Sequence, residues 1–166
     1  MTAELCDPLV QQIVAFLQSI GLAVRFGPVP EGAFLPGLQL RGGAIVIDEA
    51  RLRYPGDLLH EAGHLALLPP QERALVDGDT GESGGLEMGA IAWSYAAALH
   101  LGINPAVVFH PDGYRGGSAA LLENFAQGRY VGVPILEWLG LAVPPTRAKE
   151  LGAEPYPAMS RWLLDK

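Results

Sequence analysis

The chain holds a single cysteine, Cys6, so no intrachain disulfide can form, and a reducing, cytoplasmic setting is the natural expectation. Nothing around Cys6 reads as catalytic. Charge is also sparse, at 17% of residues, with 11 basic against 18 acidic side chains and a net charge of -7. No Lys/Arg-rich run occurs, which argues against a nucleic-acid partner. No apolar run reaches the roughly 18 residues that a membrane-spanning helix needs. The first residues do not read as a signal peptide. Glu4 and Asp7 stand where positive charge is expected, and Gln11 and Gln12 interrupt the apolar stretch. Histidine is scarce as well, yet two of the 4 fall within one short run.

What is present is apolar mass. At 166 residues and 49% hydrophobic, the chain has the material for one globular domain, 1–166, with a proper core. Its 21 glycines and 14 prolines predict short elements joined by many turns. Asp7-Pro8 reads as a helix cap, followed by apolar residues at helical spacing from Leu9 to Ile20 and a stop at Gly21. Leu22, Val24 and Phe26 alternate as in a strand. Residues 38–40 and 44–47 flank Arg41-Gly42-Gly43 and predict a β-hairpin. Helices are expected over 57–68, 71–76, 86–101, a short one restarted at Asn104-Pro105 that stops before Pro111, 118–127 with Ser118 as cap, and 134–141. The last 25 residues read as proline-punctuated turns and a terminal helix. The fold class is therefore α+β, mainly helical, with a small N-terminal antiparallel or mixed sheet and a helical C-terminal part.

The two close histidines lie in His60-Glu61-Ala62-Gly63-His64. On a helix, positions i and i+4 share a face, so both imidazoles can point at one ion. Glu61 lies about 100° further round, where it can take a proton from a water molecule without ligating the ion. The alternative is a helix whose two histidines are merely hydrogen-bonded. Gly63 in mid-helix argues for a close approach by another chain segment.

Zinc sites of this kind use three protein ligands, and Pro70 stands where a third histidine could follow. A carboxylate on a later helix is the other solution. Glu87 is the candidate, on the first turn of helix 86–101, with small Ala90 and Ser94 on its face to let two helices pack. The alternative role for Glu87 is to favour the helix N-terminus. Asp77, Asp79 and Glu82 are rival ligands in a polar, glycine-rich loop. His100 points elsewhere, as a C-terminal cation or a packed side chain.

The loop His110-Pro111-Asp112-Gly113-Tyr114-Arg115-Gly116-Gly117 offers groups that could stabilise charge on a carbonyl oxygen, His110 and Tyr114 above all. It could equally be an ordinary surface turn. Asp57 lies on the stripe of His60 and could either orient that ring or stabilise the first helical turn.

The order of these features, with Ile45-Val46-Ile47-Asp48 before the motif and Glu87 leading an Ala- and aromatic-rich helix, resembles the ImmA/IrrE-type zinc metallopeptidases of the wider gluzincin class. The resemblance covers residues 8–102 and is sharp only at His-Glu-x-x-His. It implies a zincin-like fold, one Zn²⁺ held by His60, His64 and Glu87, and Glu61 as general base. It implies a peptide or protein substrate, whose identity does not carry over because residues 103–166 lie outside the resemblance. The expected function is that of a small zinc metallopeptidase. The alternative is a metal-binding, non-proteolytic regulatory protein, suggested by the apolar segment Val133, Ile135, Leu136, Trp138, Leu139 and Leu141.

Overall fold

A computed structural model describes residues 7–78 and 84–166. Cys6, Asp79 and Glu82 lie outside them. The described residues form eight helices and three strands, an α+β fold that is mainly helical with a small mixed sheet. Helix α1 spans Pro8–Ser19, and the Asp7 side chain accepts from the Leu9 amide as its cap. Strands β1 (Val24–Phe26), β2 (Leu38–Arg41) and β3 (Ala44–Ile47) pair in the order β1-β3-β2. β1 runs parallel to β3, and β2 runs antiparallel to it. Gly42 and Gly43 turn the hairpin with φ of 55° and 77°, values a two-residue turn of this hand demands. β3 is buried throughout, as the central strand of a covered sheet should be.

Helices α2 (Asp57–Ala66) and α4 (Gly84–Leu101) form the heart of the molecule. α4 is apolar around its whole circumference between Gly89 and Ala98, so it can exist only with neighbours on every side. Those neighbours are α2, α5 (Pro105–Val108) and α7 (Val133–Trp138). The remaining helices are α3 (Pro70–Arg73), α6 (Ser118–Ala126) and α8 (Pro145–Leu151). α3 starts one residue before the expected 71, because Pro70 is itself acceptable in a first helical turn. Ser118 does not cap α6. Gly117 holds that place, and the Ser118 hydroxyl donates instead to the His110 carbonyl at 2.5 Å.

The expected terminal helix is also corrected. α8 is the last helix, and residues 152–166 follow without helical structure. They are fixed by long-range contacts instead. The Leu164 amide donates to the Ala66 carbonyl at the end of α2, and Trp93 Nε1 donates to the Trp162 carbonyl at 2.9 Å. Arg73 ties both pieces together, with Nε donating to the Leu65 carbonyl and Nη2 to the Leu68 and Leu164 carbonyls. Of the apolar segment 133–141, Val133, Leu136 and Leu141 are core and only Trp138 stands out in solvent, at 82% exposure. Among the described residues no helix is long and apolar enough to cross a membrane.

Candidate metal centre

The site forms where α2 crosses α4. The helix α2 carries His60 and His64 one turn apart, and Gly63 faces the partner helix between them. A Cβ added to Gly63 would lie 2.8 Å from the Ala90 carbonyl oxygen, so the two backbones touch here. That contact sets Glu87, one turn before Ala90, directly over the imidazoles. Glu87 Oε2 lies 2.7 Å from His64 Nε2, and Oε1 lies 3.2 Å from His60 Nε2. The two Nε2 atoms are themselves 3.2 Å apart. The rings stand at 90° to one another.

Two imidazole nitrogens and both oxygens of one carboxylate, from three side chains, therefore converge on one small volume. Two ligands on a tetrahedral zinc at about 2.0–2.1 Å are separated by about 3.3 Å. The two edges of 3.2 Å match that spacing, the 2.7 Å edge has the length of a hydrogen bond, and two imidazoles with one carboxylate are a donor set zinc favours. Among the described residues, His60, Glu61 and His64 also place ligating atoms within 4.8 Å of one another. Glu61 thus sits beside the cluster, but the short contacts to both imidazoles belong to Glu87. Of the two carboxylates, Glu87 is thus the one in hydrogen-bond contact with both imidazoles, and Glu61 lies beside them.

Electrostatics follow the geometry. Hydrogen bonds to His60 and His64 hold the Glu87 carboxyl far below the usual glutamate range, against a smaller opposing effect of burial. Burial pushes the His60 imidazole down, but its hydrogen bond to Glu87 and the charges of Glu87, Glu61 and Asp57 outweigh that and raise it. Glu61 is raised by burial, only partly offset by the two histidines.

The other candidates divide. Tyr114 is at the site. Its ring stands edge-on to His60, with centroids 5.3 Å apart at 81°, and its hydroxyl is buried without a hydrogen-bond partner. Burial first, then nearby Asp57, Glu87 and Glu61, raises the phenol so that it stays protonated. It is a fixed O–H donor with nothing yet to donate to. His110 is engaged elsewhere. Its Nε2 pairs with Asp57 Oδ1 at 2.7 Å, and its ring stacks on Tyr54 at 4.0 Å and 5°. Asp57 is therefore the partner of His110. It does not orient His60, whose Nδ1 is buried with no hydrogen bond. Asp77 is removed from the site: its Oδ1 accepts from the Gly42 amide at 2.7 Å. His100 packs among Phe16 and Trp162, with centroids at 5.5 and 5.2 Å. Arg115 is exposed.

Tyr54 has no counterpart in the sequence reading. It lies in a loop, where periodicity carries no signal, and the only hint is its place shortly before the motif helix. Comparison with known proteins adds nothing further: no family model, no curated protein and no solved structure matches the chain.

Proposed function

We propose that the protein is a zinc metallopeptidase of the ImmA/IrrE-like kind its sequence resembles, acting on a peptide or protein substrate in the cytoplasm. The observation that carries this reading is the convergence of His60 Nε2, His64 Nε2 and the Glu87 carboxylate within 2.7–3.2 Å. Those three residues would hold the ion. Zinc bound there supplies a Lewis acid that polarises a carbonyl and makes water a better nucleophile. The rest is the work of the chain. Glu61, beside the ligands and held in a largely buried position, accepts the proton that water loses as its oxygen bonds to the peptide carbon. The same carboxyl returns that proton to the departing amine nitrogen as the carbon–nitrogen bond breaks. Tyr114 donates its unused hydrogen bond to the carbonyl oxygen as negative charge gathers there.

Two measurements on the full chain test this. Purified protein is analysed for zinc stoichiometry, and cleavage of a randomised peptide library is followed by mass spectrometry. Glu61→Gln should keep one zinc and lose cleavage. An active Glu61→Gln protein would refute the base, and a zinc-loaded wild type that cleaves nothing would favour the non-proteolytic alternative.

A further inference from the structure

We propose that the Asp57–His110 pair is a clamp that seats Tyr114 against His60, so that both residues act on the reaction through the Tyr114 hydroxyl. The inference rests on the peptidase reading above for its kinetic consequence, but not for its geometry.

The pair is deeply enclosed, with Asp57 7% and His110 8% exposed. An imidazole–carboxylate pair in such a place costs desolvation and is a poor device for stability alone. Here it joins two pieces of chain that matter to one site. Asp57 opens α2, the helix that carries His60 on its next turn. His110 opens the loop that carries Tyr114.

His110 is held at its Nε2 edge, at one ring face and at its carbonyl, while its Nδ1 is buried without a hydrogen-bond partner. Its edge meets Asp57, and one face lies flat on Tyr54, whose hydroxyl donates to Asp112 Oδ2 at 2.6 Å. Its carbonyl accepts from the Ser118 hydroxyl and from the Gly113 amide at 3.1 Å. From this anchor the backbone enters the left-handed region at Tyr114 (φ 57°) and Arg115 (φ 52°). Two consecutive non-glycine residues persist there only where the surroundings over-determine them. The result is a Tyr114 ring wedged between Phe109 and His60, each at 5.3 Å and nearly perpendicular. With Nε2 committed to Asp57, His110 serves as a positioning residue.

The test uses the full chain with 3-fluorotyrosine at position 114, read by fluorine NMR with and without added zinc. The wild type should give one resonance shifted from free fluorotyrosine by the neighbouring rings. Asp57→Asn and His110→Ala should move it toward the free position while zinc stoichiometry holds. An unmoved resonance in both overturns the clamp. Should either variant fail to fold by circular dichroism, Tyr54→Leu, which removes the stacked face and the bond to Asp112 but leaves the Asp57–His110 pair, should move the resonance in the same direction, and an unmoved one overturns the clamp equally.

On a cleaved peptide, His110→Ala should lower kcat about ten- to a hundredfold with KM nearly constant. It should add almost nothing in a Tyr114→Phe background. Multiplying losses would overturn the clamp and make His110 a group that touches substrate. A protein that binds no zinc and cleaves nothing sinks the peptidase reading, while the fluorine signal still decides the clamp.

Discussion

Gly63 of α2 lies so close to Ala90 of α4 that a side chain on the glycine would start 2.8 Å from the alanine carbonyl oxygen. This single contact fixes the distance between the helix that carries His60 and His64 and the helix that carries Glu87. Gly63→Val should therefore do more than overpack a core. Stability should fall by about 1–3 kcal/mol, and zinc affinity should fall with it because Glu87 is pushed off the imidazoles. Thermal melts and zinc competition with a chromophoric chelator measure the two. Intact affinity at reduced stability would show that the helix contact does not set the ligand geometry.

Glu87→Gln keeps the shape of the proposed third ligand and removes its charge. Loss of an outer-shell partner of a metal ligand typically costs 10–100-fold in affinity, so loss of a ligand charge should cost at least about 100-fold. Equilibrium dialysis against zinc checks this. An affinity equal to wild type would return the third position to another carboxylate.

Protons and zinc should compete for the site, and the sign of the pH effect should reverse with metal. In the metal-free chain His60 is raised, so its stabilising contribution is complete below the ordinary histidine range and is lost as pH rises through the folded value. Glu61 and Asp57, both raised by burial, act in the same direction from the carboxylate range upward. Glu87, depressed, contributes stability above the usual glutamate range and loses it only in stronger acid. Melting temperatures in chelator should fall as pH rises from about 6 to about 8, and those in excess zinc should rise because ligation needs the imidazoles neutral. Parallel trends with and without zinc would contradict the site.

Tyr114→Phe removes one hydroxyl that has no partner in the resting protein. Its loss should leave zinc binding and stability close to wild type. Turnover should drop about 100-fold or more, the usual cost of deleting one donor to a developing oxyanion. Steady-state kinetics on a cleaved peptide decide it, and unchanged kcat removes Tyr114 from the chemistry.

Arg73 donates to three carbonyls, one in the last turn of α2, one just after that helix and one in the C-terminal segment. Arg73→Ala should cost on the order of 2 kcal/mol, since charged donors to carbonyls contribute about 1.5–3 kcal/mol and this side chain is only partly buried. Urea denaturation gives the number. A loss below about 0.5 kcal/mol would mean that the C-terminal segment holds without it.

Local rules made much of this legible. Asp7 caps α1, the adjacent Gly42 and Gly43 turn the hairpin, and the i, i+4 spacing puts His60 and His64 side by side, because each effect is decided within a few residues. Glu87 could be chosen because small residues follow it at helical spacing. What could not be read depends on distance along the chain. Asp57 and His110 are 53 positions apart, and neither carries a periodic signal pointing to the other. Ser118 has the chemistry of a cap, but a neighbouring carbonyl claims its hydroxyl. Residues 152–166 read as ending in a helix, but their order comes instead from carbonyls and rings elsewhere in the fold.

Trp93 and Trp162 meet edge to face with centroids 5.4 Å apart, Trp93 wholly enclosed, while Trp138 projects into solvent. The protein thus carries two optically separate reporters. The edge-to-face couple should give an exciton signal in near-ultraviolet dichroism that vanishes when the last residues peel away from α4. The outlying indole should dominate quenching by acrylamide. Detachment of the chain's end can therefore be timed independently of events at the surface, with no label attached.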